Sequence, residues 1–380
     1  MNSYDYIILG AGASGLMLAY RMAKDPFFDD KSILLIDKDS YKGNDRTWCF
    51  WEKGKGEWDS ILHKSWNSIY FGGTTFSKTI DILPYKYKMI RSEKFYNLLW
   101  ETIRLKSNIE YKTAAFESYT ETKDLVSVRT SYGDFTTHIL FNSIPNAEFL
   151  NQKKYPSLQQ HFLGWFIKTK DDFFDDTTAT FMDFSVPQNG NTRFMYVLPI
   201  NKKEALFEYT LFSKDILKKE VYEKAIKDYL SNRNIVDYDI IETEAGAIPM
   251  SSYKFSVKNT EKVLHIGTAG GWTKASTGYT FMSTTKKTKA LIEILKKGNS
   301  ISNLKGQRKF WFYDLILLDV LSKYNDKGAE LFTSMFKKTD IHTIFKFLDE
   351  ESKVWEDLKI IFSVPPKHFA LAVLKRLFNR

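Results

Sequence analysis

The first chemistry-bearing stretch of the chain is a glycine-rich segment near the N-terminus. Gly10, Gly12 and Gly15 follow the apolar residues 6–9 with G-x-G-x-x-G spacing. In this spacing the first glycine permits a tight turn, the second lets backbone approach a pyrophosphate, and the third lets a helix pack on a strand. Asp37 ends the next apolar segment, where a carboxylate can accept hydrogen bonds from ribose hydroxyls. The spacing predicts a dinucleotide site.

A second glycine-rich segment lies far downstream, at residues 262–281. A strand is expected at 263–266, and the glycines after it predict a turn that leads into a helix. These glycines are Gly267, Gly270, Gly271 and Gly278. A late strand, glycine loop and helix is the pattern of large flavoproteins, in which the loop lies along the pyrophosphate, ribityl chain and ring. A structural turn without a ligand is the alternative.

A third stretch, "ALFEYTLF" at residues 205–212, sets one carboxylate in an apolar run. As a strand, it places Leu206, Glu208 and Phe212 on one face. Glu208 is either the solvent-facing residue of a half-wet sheet or an acid in an apolar chamber, and alternation alone does not decide between them. In a chamber, desolvation would raise its pKa, and a neutral carboxylic acid near pH 7 can donate a proton.

These three stretches require a two-part α/β fold. Residues 1–150 and 243–298 are predicted to form a discontinuous Rossmann-like dinucleotide-binding domain. Several alternating strands within 151–242 predict an antiparallel sheet that forms a substrate domain over the cofactor. Residues 299–380 have a helical pattern.

The composition narrows the classes of partner. The chain has 380 residues with 30 Phe, 21 Tyr and 9 Trp, which would suit a large apolar ligand, although a well-filled core is the simpler explanation. The net charge of +9 is spread along the chain without a recognition motif, so a membrane surface is favoured over nucleic acid. Cys49 is the only cysteine, and the six histidines lack metal-ligand spacing, so we expect no metal site.

The chain is expected to be cytoplasmic and peripheral on the inner face of the cytoplasmic membrane. No stretch approaches the ~20 apolar residues of a transmembrane helix, and no signal-peptide pattern precedes the first strand. After Pro366 there are four basic residues and no acidic ones, and a basic amphipathic end can lie on a membrane. A helix packed on the domain with a solvated basic face is the alternative.

Several separated blocks resemble the flavin-dependent lycopene cyclases of bacteria and plants. They reach from residue 5 to about 282, and the last hundred residues match only loosely. The blocks are "NDRTWCFW" (44–51), "MIRSEKFYNLLW" (89–100), "ATFMDF" (179–184), "RFMYVLPI" (193–200), "LFEYTLFS" (206–213), "GAIPM" (246–250) and "IGTAGGWTKASTGYTF" (266–281). The last block is the most specific.

The resemblance implies a glutathione-reductase-like flavoprotein that binds FAD, which is active when reduced by NAD(P)H. It implies that lycopene, or a related acyclic carotenoid, is closed to β-ionone rings by a proton-initiated reaction without net redox change. The cofactor-binding residues would be Gly10, Gly12, Ala13, Ser14, Gly15, Asp37, Arg91, Gly267, Gly270, Gly271, Ser276 and Gly278.

The same resemblance assigns the reacting residues. Glu208 matches the family's functionally important glutamate, and Asp183 in "TFMDF" is the reserve acid. Aromatic faces would stabilise a carbocation, and the candidates are Trp48, Phe50, Trp51, Trp165 and Tyr196. Core packing is the alternative for each of them.

Three other functions are compatible with these motifs. A flavin-dependent monooxygenase or halogenase would share the glycine segments and the sheet, but would consume one reductant per turnover. A geranylgeranyl reductase-like enzyme would saturate double bonds instead of closing rings. A carotenoid or flavin carrier would release its polyene unchanged. The sequence does not decide the number of rings, NADH against NADPH, or the oligomeric state.

Overall fold

The computed structural model describes residues 2–39, 42–145, 152–304 and 308–378, which form 17 strands and nine α-helices. The strands are β1 (Asn2–Leu9), β2 (Ile33–Asp37), β3 (Thr47–Lys53), β4 (Leu62–Trp66), β5 (Ser68–Gly72), β6 (Ser77–Asp81), β7 (Tyr85–Arg91), β8 (Ile109–Thr113), β9 (Phe116–Glu121), β10 (Val126–Thr130), β11 (Gly133–Asn142), β12 (Ser157–Thr169), β13 (Thr178–Asp183), β14 (Thr192–Pro199), β15 (Glu204–Ser213), β16 (Tyr238–Ser251) and β17 (Val263–His265). The helices are α1 (Ala13–Lys24), α2 (Ser92–Ile103), α3 (Lys219–Ser231), α4 (Phe281–Lys296), α5 (Arg308–Lys323), α6 (Gly328–Lys338), α7 (Ile341–Leu348), α8 (Val354–Ser363) and α9 (Pro366–Phe378).

The first sheet has the strand order β8-β2-β1-β11-β10-β9, with β17 beside β11. Strands β8, β2, β1, β11 and β17 run parallel, and β9 and β10 are antiparallel to their neighbours. The residues of β2 are all buried, as expected for a parallel strand covered on both faces. Helices α1, α2 and α4 pack on one side of this sheet around one apolar core. The predicted α/β class with a Rossmann-like domain is confirmed.

The second sheet has the order β16-β12-β15-β14-β13-β5-β6, and only the β13–β5 pair is parallel. One face packs on α3, and the other faces the C-terminal helices and the first domain. Strands β5 and β6 and the end of β16 at Ser251 belong to this sheet, so it reaches beyond the segment 151–242 expected from the sequence. Pairing with distant strands, which local patterns do not encode, accounts for the difference.

A third, small sheet of β3, β7 and β4 lies between the two larger ones. Successive side chains of β3 enter different cores, as the two-residue period of a strand requires. Trp48 and Phe50 pack into the core of the first sheet, whereas Cys49 and Trp51 pack into the core beneath the second sheet. Strand β3 therefore connects both cores next to the site described below.

The C-terminal helices α5 to α8 contribute to the core beneath the second sheet, which confirms the predicted helical region. A buried ion pair joins them to the glycine-rich segment after β17, residues 267–280, called the late glycine loop below. In this pair Lys274 Nζ lies 3.0 Å from Asp314 Oδ1 on α5. Both side chains are nearly inaccessible to solvent. Since breaking such a buried pair is costly, this contact holds the loop firmly against α5.

Candidate active site

The first glycine loop leaves open space in front of the N-terminus of α1. Gly10 has a φ of +92°, and a Cβ on Gly15 would stand 1.9 Å from the Gly10 carbonyl oxygen, so both positions require glycine. Gly12 is the N-cap of α1 with no side-chain cap, and a Cβ there would meet nothing within 4 Å. The unpaired N–H groups and the positive end of the helix dipole therefore face a space that fits a pyrophosphate.

Asp37 stands at the carboxyl end of β2 beside this loop. Its Oδ2 accepts a hydrogen bond of 2.5 Å from Ala11 N, and Lys42 Nζ lies 3.2 Å away. A cleft of about 240 Å³ opens next to the first loop. Its lining is Ala11, Leu16, Asp39, Lys42, Gly43, Glu93, Tyr96, Asn97, Trp100, Glu101 and Arg104. This cleft fits the adenosine part of a dinucleotide.

The late glycine loop meets the first loop on one side and the second sheet on the other. Gly267 has a φ of +60°, and a Cβ there would stand 2.3 Å from Ser14 Oγ at the start of α1. Gly278 has a φ of +73°, and a Cβ there would stand 3.0 Å from Gln160 Oε1 on β12. A side chain at Gly267 would therefore collide with the start of α1, and the positive φ of both residues favours glycine. The two glycine segments thus form one site, although Gly15 and Gly267 are 252 residues apart in sequence.

Other predicted residues of these loops have structural roles. A Cβ on Gly270 would stand 2.0 Å from the His265 carbonyl oxygen, and Gly271 has a φ of +68°. Ser276 is buried in the wall of the cavity described next. Ala13 begins α1.

A cavity of about 580 Å³ lies between the late loop and the second sheet. Strands β12 to β16 form its roof, the late loop and β3 form its floor, and α6 closes one side. Its aromatic lining is Trp48, Tyr87, Phe162, Phe181, Phe194, Tyr196, Phe212, Tyr279, Phe281, Phe332 and Phe336. Such a lining can bind an apolar ligand and can stabilise a cation within it.

Glu208 lies on the cavity face of β15. Its strand neighbours are Tyr196 on β14 and Gly164 on β12, and Thr210 Oγ1 donates a hydrogen bond of 2.6 Å to its Oε1. Desolvation, reinforced by the charge of nearby Glu244, raises the pKa of Glu208 from 4.5 to about 8. No ion pair within the described residues involves Glu208, so no cation there offsets the desolvation that favours its neutral form.

A second carboxyl in the cavity, Glu244 on β16, was missed by the sequence analysis. Burial raises its pKa, and a 2.7 Å hydrogen bond from Thr47 Oγ1 and the charge of Arg91 oppose that rise. A signal was present, because Glu244 is two and four residues before Gly246 and Ile248, which also line the cavity. Alternation along β16 would have placed all three residues on one face of the strand.

The predicted aromatic residues divide into lining and supporting positions. Trp48 and Tyr196 line the cavity, and the Tyr196 hydroxyl lies 2.5 Å from the hydroxyl of Tyr87. Phe50 stacks on Phe281 at 5.2 Å, and Trp51 stacks on Phe345 at 4.7 Å. Neither Phe50 nor Trp51 reaches the lining, so both support the residues in front of them.

Asp183 and Trp165, which were expected at the reacting site, lie on the face of the second sheet that points away from the cavity. The Asp183 carboxylate accepts hydrogen bonds of 2.7 Å from both Tyr229 and Arg233 at α3. A bulge in the pairing of β13 reverses the strict alternation that would have placed Asp183 beside Phe181, which does line the cavity. Trp165 packs into the core formed with α3.

Arg91 also lies away from the cavity lining. Its guanidinium pairs with Glu242 on β16 and stands 4.2 Å from the centroid of the Phe166 ring. These contacts connect β7 to the second sheet. A contact of Arg91 with the cofactor stays a prediction. The charge of Arg91 reaches Glu244.

The architecture is that of known flavoproteins. A geranylgeranyl bacteriochlorophyll reductase-like protein from Thermoplasma acidophilum has a TM-score of 0.59 at 11% identity, with 99% of this chain and 96% of that chain covered. A flavoprotein/dehydrogenase from Cytophaga hutchinsonii has a TM-score of 0.60 at 10% identity, with both chains fully covered. A variant of the halogenase PltM in complex with FAD has a TM-score of 0.58 at 12% identity, with 100% of this chain and 84% of that chain covered.

The family follows from the sequence match. The family model described as "Lycopene cyclase protein" matches residues 5–374, nearly the whole chain. The chain therefore belongs to the lycopene cyclase family. A search of curated proteins found no match.

Over the described ranges, no group of three or more His, Cys, Asp or Glu side chains could hold a metal ion. Over the same ranges, no helix has the length and apolar character needed to cross a bilayer.

Proposed function

We propose that this protein is a lycopene cyclase that forms β-ionone end rings from the linear polyene by a non-redox reaction. One observation carries the proposal: the Glu208 carboxyl lies on the wall of an aromatic cavity that the late glycine loop also lines, where desolvation raises its pKa. Lycopene is wholly hydrocarbon, so its recognition depends on apolar surface and shape. Its cyclisation needs a proton donor, which Glu208 can be near pH 7.

The cofactor in this proposal is FAD. Gly12 and the N-terminus of α1 would hold the pyrophosphate, Asp37 would hold the ribose, and the late loop would lie along the flavin. The open space before Gly12 and the close approach of Gly267 to Ser14 fit such a group. When bound in its reduced form, FAD supplies negative charge that stabilises a nearby cation. NAD(P)H is the proposed reductant.

The protein's own residues perform the remaining work. Glu208 donates its proton to a terminal double bond, and the cation that forms lies among the rings of Trp48, Tyr196 and Tyr279. Each well-placed ring contributes on the order of 0.5–2 kcal/mol to cation stabilisation when water is excluded. The same lining excludes water that would otherwise quench the cation.

The proposal includes docking on the inner face of the cytoplasmic membrane, where a hydrocarbon substrate resides. Helices α8 and α9 expose large apolar side chains, and α9 has no buried residue. The exposed apolar residues are Val354, Trp355, Leu358, Ile361, Phe362, Leu371, Leu374, Leu377 and Phe378. Lys359, Lys367 and Lys375 stand among them, and this combination favours an anionic lipid surface.

Vesicle binding tests the docking surface. Changing Phe362, which is 77% exposed, to Glu should weaken sedimentation with phosphatidylglycerol-containing vesicles several-fold. Leu105→Glu is the matched control, because Leu105 is 84% exposed in a turn after α2 and lies outside this surface. Equal loss from both variants would contradict docking through α8 and α9.

Expression in a lycopene-accumulating bacterium, followed by pigment chromatography, tests the function. We expect one-ring or two-ring products, and unchanged lycopene would contradict the proposal. The alternatives are a flavin-dependent monooxygenase or halogenase and a geranylgeranyl reductase-like enzyme. Each is compatible with the fold that this chain shares with the solved structures above. They predict consumption of NAD(P)H in proportion to product, whereas a cyclase needs reductant only for priming.

A further inference from the structure

Two glutamates flank one glycine in the roof of the cavity. Gly164 on β12 pairs with Glu208 on β15 and with Glu244 on β16, so the three residues form one row across three neighbouring strands. Adjacent strands are about 4.8 Å apart, which puts the two glutamate backbones roughly 10 Å apart. Both glutamates line the cavity, and between them stands a residue without a side chain.

The glycine creates a space that both acids border. A Cβ on Gly164 would stand 3.2 Å from Glu244 Cγ and 3.6 Å from Glu208 Cβ. It would also stand 2.9 Å from Leu206 Cδ1. Any larger residue would fill the space where the two side chains approach each other. A ligand beneath Gly164 therefore has one carboxyl on each side.

The surroundings of the two carboxyls differ. Burial and the charge of Glu242 favour the neutral form of Glu244. The hydrogen bond from Thr47 and the charges of Arg91 and Arg46 oppose them and favour its ionised form. Desolvation and the negative charge of Glu244 both favour the neutral form of Glu208. The hydrogen bond that Glu208 accepts from Thr210 only partly opposes them. Pairs of acids whose surroundings differ in this way divide into a proton donor and a proton acceptor.

We propose that Glu244 is the proton acceptor that ends ring closure, with Glu208 as the donor across Gly164. The inference rests on the proposed function. The Glu208 O–H bond breaks as its proton forms a C–H bond at one carbon of the terminal double bond, which leaves a tertiary cation. The next double bond attacks that cation and forms the ring C–C bond. The new ring cation loses a C–H proton to the Glu244 carboxylate, which restores a double bond.

The pair then returns to its starting state without any external acid. After one ring, Glu208 is ionised and Glu244 is protonated, so a proton passes back from Glu244 to Glu208 through the space above Gly164. Substrate and product are isomers, and no electron is gained or lost. The position of the final double bond in the ring is set by which C–H bond faces Glu244.

Glu244→Gln tests the acceptor through the position of that double bond. We expect at least a 100-fold fall in the cyclisation rate, and we expect that the residual product carries its ring double bond at another carbon. Glu244→Asp keeps a carboxylate and should restore the β-ring. Glu204→Gln, on β15 and paired with Lys168 at 2.9 Å, is the matched control that should behave like the wild type.

Thr47→Val gives an independent test that leaves both acids in place. Loss of the 2.7 Å hydrogen bond raises the pKa of Glu244, and the acceptor must be ionised, so the acid limb of the rate profile should move to higher pH. An unmoved acid limb, or β-rings formed at the wild-type rate by Glu244→Gln, would overturn the role of Glu244 alone. A wild type that leaves lycopene in vesicles unchanged would instead contradict the proposed function.

Discussion

The two faces of the second sheet each carry a carboxyl, and the surroundings of the two carboxyls differ. On the face covered by α3, Asp183 is 2% exposed and is fixed by Arg233 and Tyr229. On the cavity face, Glu208 has one hydroxyl as hydrogen-bond donor, and its neighbouring charge is another carboxyl. A buried acid with a cation beside it stays ionised and holds structure, whereas one without a cation keeps its proton and can donate it.

Of the substitutions that test this difference, the one at Glu208 should have the largest effect, and that effect is on catalysis. Glu208→Gln removes the proton donor with little change in volume, so the cyclisation rate should fall by about 10²–10⁴-fold. The measurement is pigment chromatography with reduced enzyme, together with the flavin absorption spectrum to check that cofactor binding persists. Glu204→Gln controls for loss of a strand glutamate on the same face. Cyclisation by Glu208→Gln near the wild-type rate would eliminate Glu208 as the donor.

Asp183→Asn should instead affect stability. It removes the negative partner of Arg233 on the α3 face, which should lower the free energy of unfolding by about 2 kcal/mol. Urea denaturation would measure this loss. At temperatures where the variant is folded, its turnover should match the wild type, because Asp183 lies on the far side of the sheet. A turnover defect in folded protein would show that the two faces are not separate.

The pH dependence of protein stability should distinguish Glu208 from Asp183. Glutamate ionises near pH 4.5 when unfolded, and folded Glu208 holds its proton to about pH 8, so the native state binds the extra proton between these values. Stability contributed by Glu208 is therefore lost as pH rises through that window. At pH 7, Glu208→Gln should be more stable than the wild type by about 3 kcal/mol, and at pH 4 the difference should nearly vanish.

Thermal unfolding at the two pH values measures this difference. Asp183→Asn should not show a gain of stability at either pH, since it breaks the ion pair with Arg233. If Glu208→Gln gave no stability gain at pH 7, Glu208 would be ionised in the folded protein.

The smallest expected effect concerns the tryptophans of the two faces. Trp48→Leu removes a ring from the cavity lining, and loss of about 1 kcal/mol of cation stabilisation should slow cyclisation roughly five-fold. Trp165→Leu removes a ring from the α3 face, so it should lower stability and leave the rate per folded molecule unchanged. Comparison of single-turnover rates checks both variants. Equal slowing by both would mean that aromatic packing in general, and not the cavity, sets the rate.

The comparison also explains what the sequence could predict. The glycine segments were identified because their function is local: Gly10, Gly12 and Gly15 act through the turn and helix in which they stand. The helical C-terminal region and the α/β class were recognised from periodicity for the same reason. The meeting of Gly267 with Ser14 was expected only through the flavoprotein pattern.

The rest depended on contacts between distant strands. Alternation could not decide which face of β15 is dry, because that depends on what covers each face. Asp183 was placed wrongly because a bulge in β13 interrupts the alternation. Alternation along β16 could have indicated Glu244, but its pairing with Glu208 runs through Gly164 on a third strand. Pairing across a sheet is non-local, so no window of sequence contains it.

The protonation state of Glu208 is the central claim, and infrared spectroscopy measures it most directly. The difference spectrum between wild type and Glu208→Gln, recorded at stepwise increasing pH, isolates the carbonyl stretch of this one protonated carboxyl. We predict a carboxylic acid band at pH 7 that disappears near pH 8. A band already lost near pH 4.5, as for a solvated glutamate, would contradict the account.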